Sequence, residues 1–172
     1  MMINLLIRKT KKEGLKKQVK IFGENIEVKV IYTKIQNPEL DLIGNVINVY
    51  LPNKYKKRGN MAIVKLALEK MYDEIARIEI EKVMEETRIM LKGLAPENYE
   101  IKRMPNKFSI TLPNKTIVIH PEIIKYDKQV LRYVVLSEFC HLKYKTNCKS
   151  FFEMMKKYME NYEDYNYILN VA

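Results

Sequence analysis

One stretch toward the C-terminal end carries reactive side chains on an otherwise apolar helix. LRYVVLSEFCHLKY, residues 131–144, is apolar almost all round, yet Ser137, Glu138 and His141 stand in its middle. At 100° per residue, Ser137 and His141 stack one turn apart, and Glu138 precedes His141 by three. A carboxylate in such a helix is costly unless it is paired, hydrogen-bonded or beside a metal. The plainest arrangement pairs Glu138 with His141 or with a nearby Lys.

The spacing also fits metal chemistry. A helical His-Glu-x-x-His grips zinc because imidazoles at i and i+4 point the same way, while the Glu reaches a metal-bound water as general base. Residues 137–141, SEFCH, keep the Glu and the second His but put Ser137 at the first His position. Cys148, seven residues after His141, is a soft ligand in its own right, and His120 is the one other histidine in the chain. A catalytic zinc usually has three protein ligands, so His141 and Cys148 would need a recruit such as His120. Cys140 lies about 100° round the helix from His141 and reads as a buried structural thiol. Cys140, His141 and Cys148 would also suit a different metal or thiol chemistry, but no C-x-x-C is present. A Ser137–His141 nucleophilic pair would need an oxyanion hole that the sequence does not supply. Gly-rich phosphate loops are absent, which disfavours nucleotide hydrolysis.

The elements that must position these groups follow from pattern. VKIF and IEVKVIYTK read as two strands about a Gly23-Glu24-Asn25 turn, with Ile26, Val28, Val30 and Tyr32 on one face. NPELD breaks the alternation, and VINVYLP, residues 46–52, supplies a further strand ended by proline. Residues 61–92 turn helical and stop at Gly93. There Val64, Leu68, Met71, Ile75 and Ile78 make one stripe, and Ile80, Val83, Thr87 and Met90 a rotated second one. That change of seam predicts a kink or two successive helices. Short strands YEIKR, FSITL and TIVIH come next, the last two joined by a Leu112-Pro113-Asn114-Lys115 turn. Helices are then expected over 127–144, over 150–161 and near Tyr165. For the second of these, Ser150 with Glu153 forms a capping box and Asn147 is the rival cap. Strands, a helix, a hairpin and more helices make an α+β fold in one domain of three parts: a strand region over 1–57, a long helical segment over 61–92, and a site-bearing sheet with helices over 97–172.

TIVIHPEII followed by LRYVVLSEFCHLKYKTNCKSFF resembles the YgjP-like zinc metallopeptidases, relatives of SprT-type and other minimal zincins. Those proteins show a strand I-x-L-N-x-x-L, then Y-V-V-x-H-E-L-x-H-L, then N-H-x-x-x-F. The match is strong over 115–152, and the upstream elements fall in the family's order. The resemblance implies a minimal zincin-like domain, with Glu138 on the catalytic Glu and His141 on the second ligand. It also puts Ser137 on the first ligand, Cys148 on the third, and His120 on the Asn at the strand end. The family's Trp-Gly-Ser-Cys segment, which shapes its site, falls on Phe108-Ser109-Ile110-Thr111 and is not kept.

Composition bounds the rest. The chain has 172 residues, 47% hydrophobic and 30% charged, enough for a core in a single domain. No run of apolar residues is long enough for a membrane span, and the start lacks the order of a secretory signal. Two cysteines are too few for a disulfide framework, so a cytoplasmic setting is expected. A net charge of +10 carried mainly by Lys suits either a polyanion partner, met by the basic stretches RKTKKEGLKK and KYKKR, or a genome that uses Lys freely. The Lys-, Ile- and Glu-rich, Gln-poor composition is the bias of heat-adapted proteins. The leading expectation is a non-catalytic descendant that uses the fold as a scaffold, its partner either a peptide or protein segment along the sheet edge or a polyanion met by the basic loops. The alternatives are a zinc-dependent peptidase with Glu138 as general base and a nucleic-acid-binding protein.

Overall fold

The structure, a computed structural model, describes residues 17–56 and 61–170. Most of RKTKKEGLKK and the end of KYKKR lie outside those residues. Seven strands and four α-helices are present among the described residues: β1 (Lys17–Ile21), β2 (Glu24–Thr33), β3 (Glu39–Ile43), β4 (Val46–Pro52), α1 (Met61–Met90), β5 (Asn98–Ile101), β6 (Ser109–Thr111), β7 (Thr116–Ile119), α2 (Lys128–Lys143), α3 (Lys149–Tyr158) and α4 (Tyr162–Asn170). The fold is α+β, as the pattern predicts. The described residues divide into two compact units, one within 17–19 and 25–70, the other within 20–24 and 71–170.

The first four strands form a sheet of order β1-β2-β4-β3, most of it in the first unit, with β2 and β4 parallel and β3 antiparallel to β4. Ile26, Val28 and Val30 of β2 and Ile47, Val49 and Leu51 of β4 are buried, so period-two alternation gives the sheet one apolar face. The β1–β2 turn differs from the expected Gly23-Glu24-Asn25. It is the two residues Phe22 and Gly23, both at positive φ (51° and 83°), the backbone a tight hairpin loop requires. Strand β3 corrects the reading of NPELD as a break. As an edge strand it is mostly exposed and shows no buried alternation, and it is held by polar groups instead. Asp41 accepts from Asn48 Nδ2 at 2.8 Å and from the Tyr50 hydroxyl at 3.1 Å.

Helix α1 is continuous, without the kink or break that its two stripes suggest. Its buried row is Val64, Leu68, Tyr72, Ala76 and Ile80, joined by Val83, Met84 and Thr87, while Ile78 and Met90 are exposed. A strict i, i+4 row drifts roughly 40° per step on a helix of 3.6 residues per turn. The change of seam is that drift. Thr87 is buried at no cost in polar satisfaction, since its hydroxyl donates to the Val83 carbonyl at 2.8 Å.

The second unit holds a sheet of order β5-β7-β6, with β5 parallel and β6 antiparallel to the central β7. All four residues of β7, TIVI, are buried, as an interior strand covered on both faces requires. Ile117, Ile119, Ile123, Ile124, Leu131, Phe139 and Met155 are among its largest fully buried side chains. The β6–β7 connection turns at Leu112–Lys115, with Lys115 in the left-handed region at φ 59°. Helix α2 is capped by Asp127, whose side chain accepts from Gln129 N at 2.7 Å, and ends at Tyr144. Helix α3 starts at neither Ser150 nor Asn147: Cys148 is its N-cap, without a side-chain hydrogen bond. Ser150 therefore already lies inside the first turn, where the capping box cannot form.

Candidate active-site cleft

Helix α2 buries Val130, Leu131, Val134, Val135, Leu136, Phe139 and Cys140, which fixes how it is turned and leaves Glu138 and His141 toward one cavity. That cavity, of about 570 Å³, lies between the end of α2 and strand β6, and Ser109, Thr111, Glu138, His141 and Leu142 line it. Glu138 is only 6% exposed. Its partners are neither His141 nor a Lys. Ser109 Oγ donates to Oε1 at 2.6 Å, and Thr111 Oγ1 stands 2.6 Å from Oε2 and 3.1 Å from the Glu138 carbonyl oxygen. Alternation along Ser109-Ile110-Thr111 puts both hydroxyls on one face of β6, where they bracket the carboxylate. Short hydroxyl–carboxylate bonds of this kind are among the strong ones.

His141 is set by two contacts. Its ring stacks on Phe151 of α3, with centroids 4.6 Å apart and planes 26° apart. Its Nδ1 lies 3.0 Å from the Tyr144 carbonyl. A carbonyl only accepts, so Nδ1 carries a proton, and in the neutral ring Nε2 is the nitrogen that has the lone pair. The carbonyl of Tyr144, and not Ser137, thus fixes the tautomer.

The other sequence candidates sit elsewhere. Ser137 is half-buried on α2 and does not line the cavity. Cys148 is exposed at the start of α3, and Cys140 is buried, its thiol pushed up to about 12 by desolvation. His120 ends the strand before a 3-10 turn (Pro121–Lys125) and caps it, Nδ1 accepting from Glu122 N at 3.1 Å. Its ring meets Phe108 edge-on, centroids 6.1 Å apart. Desolvation pushes its pKa below the usual imidazole value, with Arg103 and Lys125 adding to the effect and Glu122 and Asp73 opposing it.

A catalytic zinc takes three protein ligands about one point. Among the described residues, no three His, Cys, Asp or Glu side chains form a group that could hold a metal ion. The donors as they stand do not fit the ion. Ser109 and Thr111 are the site residues that pattern reading passed over. Their signal was the S-x-T alternation beside a buried carboxylate that still lacked a partner.

Strand β6 also has an open side. Among the described residues it pairs only with β7, and the bonds from His120 N to Phe108 O and from Leu112 N to Thr116 O fix the phase of that ladder. Residues 108, 110 and 112 therefore turn their backbone groups toward β7, while the N–H and C=O of Ser109 and Thr111 point to the free edge.

The YgjP-like, metallopeptidase domain family model matches residues 4–172. No curated protein matches. Among solved structures, the chain is similar to the metallopeptidase zymogen abylysin of Pyrococcus abyssi, at 19% identity and a TM-score of 0.47, over 54% of this chain and 94% of that one. It is also similar to the metallopeptidase zymogen jannalysin of Methanocaldococcus jannaschii, at 25% identity and a TM-score of 0.46, over 54% of this chain and 92% of that one. Among the described residues, no helix is long and apolar enough to cross a membrane.

Proposed function

The chain belongs to the YgjP-like metallopeptidase family, and from that premise we propose that it is a non-catalytic homologue, holding an extended peptide in the family's cleft without cutting it. The observation that carries this reading is the bracket on Glu138. Both oxygens of the carboxylate that stands at the catalytic position accept hydroxyls from β6. The side chain is tied to the strand as a buried anchor, where a general base would instead have to meet a water above a metal. Ser137, at the first ligand position, offers a hydroxyl, which is a poor partner for zinc. The free N–H and C=O groups of Ser109 and Thr111 remain available, and an extended peptide binds such an edge by adding a strand.

A second reading, a zinc-dependent peptidase, draws support from His141. An imidazole whose Nδ1–H is held by a backbone carbonyl presents Nε2 as metal-binding histidines do. On that reading Glu138 is the general base and Cys148 and His120 join His141 as donors, a set that does not gather about one point among the described residues.

One experiment separates the two. The full chain, produced in zinc-supplemented medium, is analysed for metal and incubated with a mixed peptide library, and both retained peptides and new termini are read by mass spectrometry. The expected result is retention of intact peptides with zinc well below one per chain. Stoichiometric zinc, together with cleavage that disappears in Glu138→Gln, would establish the peptidase instead.

A further inference from the structure

We propose that the cleft beside β6 selects acidic peptide segments. This rests on the peptide-holding reading above and names the class of peptide. Three lysines ring the cavity: Lys107 just before β6, Lys115 in the turn at its other end, and Lys145 just after α2. All three are exposed. Lys115 has one acidic neighbour, Glu97 at 3.8 Å, a long pair between two well-exposed side chains. Among the described residues, Lys107 and Lys145 have no acidic partner within salt-bridge distance. The single acidic group in the cavity lining is Glu138, and its oxygens are already engaged by Ser109 and Thr111. The cleft therefore presents positive charge at both ends of an open strand edge and no free negative charge between them.

An extended guest laid on that edge advances about 3.3 Å per residue, with alternate side chains turned the same way. Carboxylates on such side chains reach the lysines while the guest's backbone pairs with Ser109 and Thr111. The charge pattern would also attract a nucleic acid, but the lining does not suit one. It contains no Arg, the side chain that best reads phosphate, and no Phe, Tyr or Trp for bases to stack on. The one ring present, His141, already stacks on Phe151. The occupant that fits both edge and charge is an acidic peptide.

The test uses the full chain and fluorescence anisotropy with three labelled probes: a peptide of alternating Glu and Thr, its Gln–Thr counterpart, and single-stranded oligo(dT). The Lys107→Gln/Lys145→Gln variant is compared with Lys102→Gln/Lys156→Gln, which removes the same net charge at exposed positions outside the cavity. The Glu–Thr peptide should bind about three- to tenfold more tightly than the Gln–Thr peptide at low salt. The cavity variant should erase that preference without weakening the Gln–Thr peptide, and the control variant should keep it. Equal binding of the two peptides, or loss of the preference in the control variant as well, overturns acidic selectivity and leaves peptide holding intact. If neither peptide binds, both readings fall. Oligo(dT) binding that depends on Lys107 and Lys145 in the absence of peptide binding overturns the proposal in favour of nucleic acid.

Discussion

Thr111 reaches Glu138 at two points: its hydroxyl oxygen lies 2.6 Å from the carboxylate Oε2 and 3.1 Å from the same residue's main-chain carbonyl oxygen. One short strand is thereby fastened to both the side chain and the backbone of one helical residue. Ser109 completes the bracket on the other carboxylate oxygen. Thr111→Val keeps the shape and removes the donor, leaving a buried carboxylate half satisfied. We expect a loss of about 1.5–3 kcal/mol in urea denaturation, the range for a hydrogen bond to a charged group. Replacing all three polar groups together (Ser109→Ala, Thr111→Val, Glu138→Leu) should cost less than the sum of the single changes, because no orphaned charge remains. Strict additivity would mean the three side chains do not act as a unit.

The two thiols should separate cleanly. Cys148 is exposed, whereas Cys140 is buried with its pKa pushed up to about 12. The thiolate is the reactive form, so a disulfide reagent at neutral pH should modify one thiol in the native protein and the second only after denaturation. Cys148→Ser should abolish the fast phase. Rapid modification of both in the native state would contradict the packing of α2.

Acid should weaken the protein partly through His120. Its folded pKa lies below 6.5, because burial penalises the charged ring. The unfolded chain therefore takes up the proton first as pH falls. The stabilisation is present above about 6.5 and is lost as pH drops toward the folded value. Protonation also removes the Nδ1 lone pair that accepts from Glu122 N. His120→Asn keeps a capping acceptor without the titration, so its melting temperature should fall less between neutral pH and pH about 5 than that of the parent. Parallel pH profiles would mean His120 is not a source of acid sensitivity.

The β1–β2 turn offers a backbone test. Gly23 sits at φ 83°, and a Cβ there would meet Asp127 at ordinary contact distance, 3.7 Å from its backbone nitrogen. Space is available, so the penalty of Gly23→Ala is conformational, about 1–2 kcal/mol in thermal or chemical denaturation. No change would imply that the turn adopts another conformation.

Much of this arrangement is legible in the sequence, and the exceptions share a cause. VINVYLP became β4 with the same ends, and residues 127–144 became α2 with Asp127 and Tyr144 as its caps, because alternation and capping are local signals. Strand β3 escaped notice because an edge strand is held by the Asp41 pairings and leaves little buried pattern. In the site, Glu138 and His141 stand out as polar residues on an apolar helix. The partners of Glu138 come from 29 and 27 residues upstream, a separation at which no periodicity links them. Ser150 looked like a cap because Ser-x-x-Glu is a statistical cue, but the helix begins one residue after Cys148.

The brevity of β6 bears on how firmly anything can be held there. Its open margin amounts to two amide donors and two carbonyl acceptors, those of Ser109 and Thr111. A second copy of the protein gains too little from so small a ladder to stack edge to edge, which guards against unwanted association. A guest strand gains alignment from it but little grip, so its residence time must come from its side chains. Exchange of a guest strand paired there should therefore be quick.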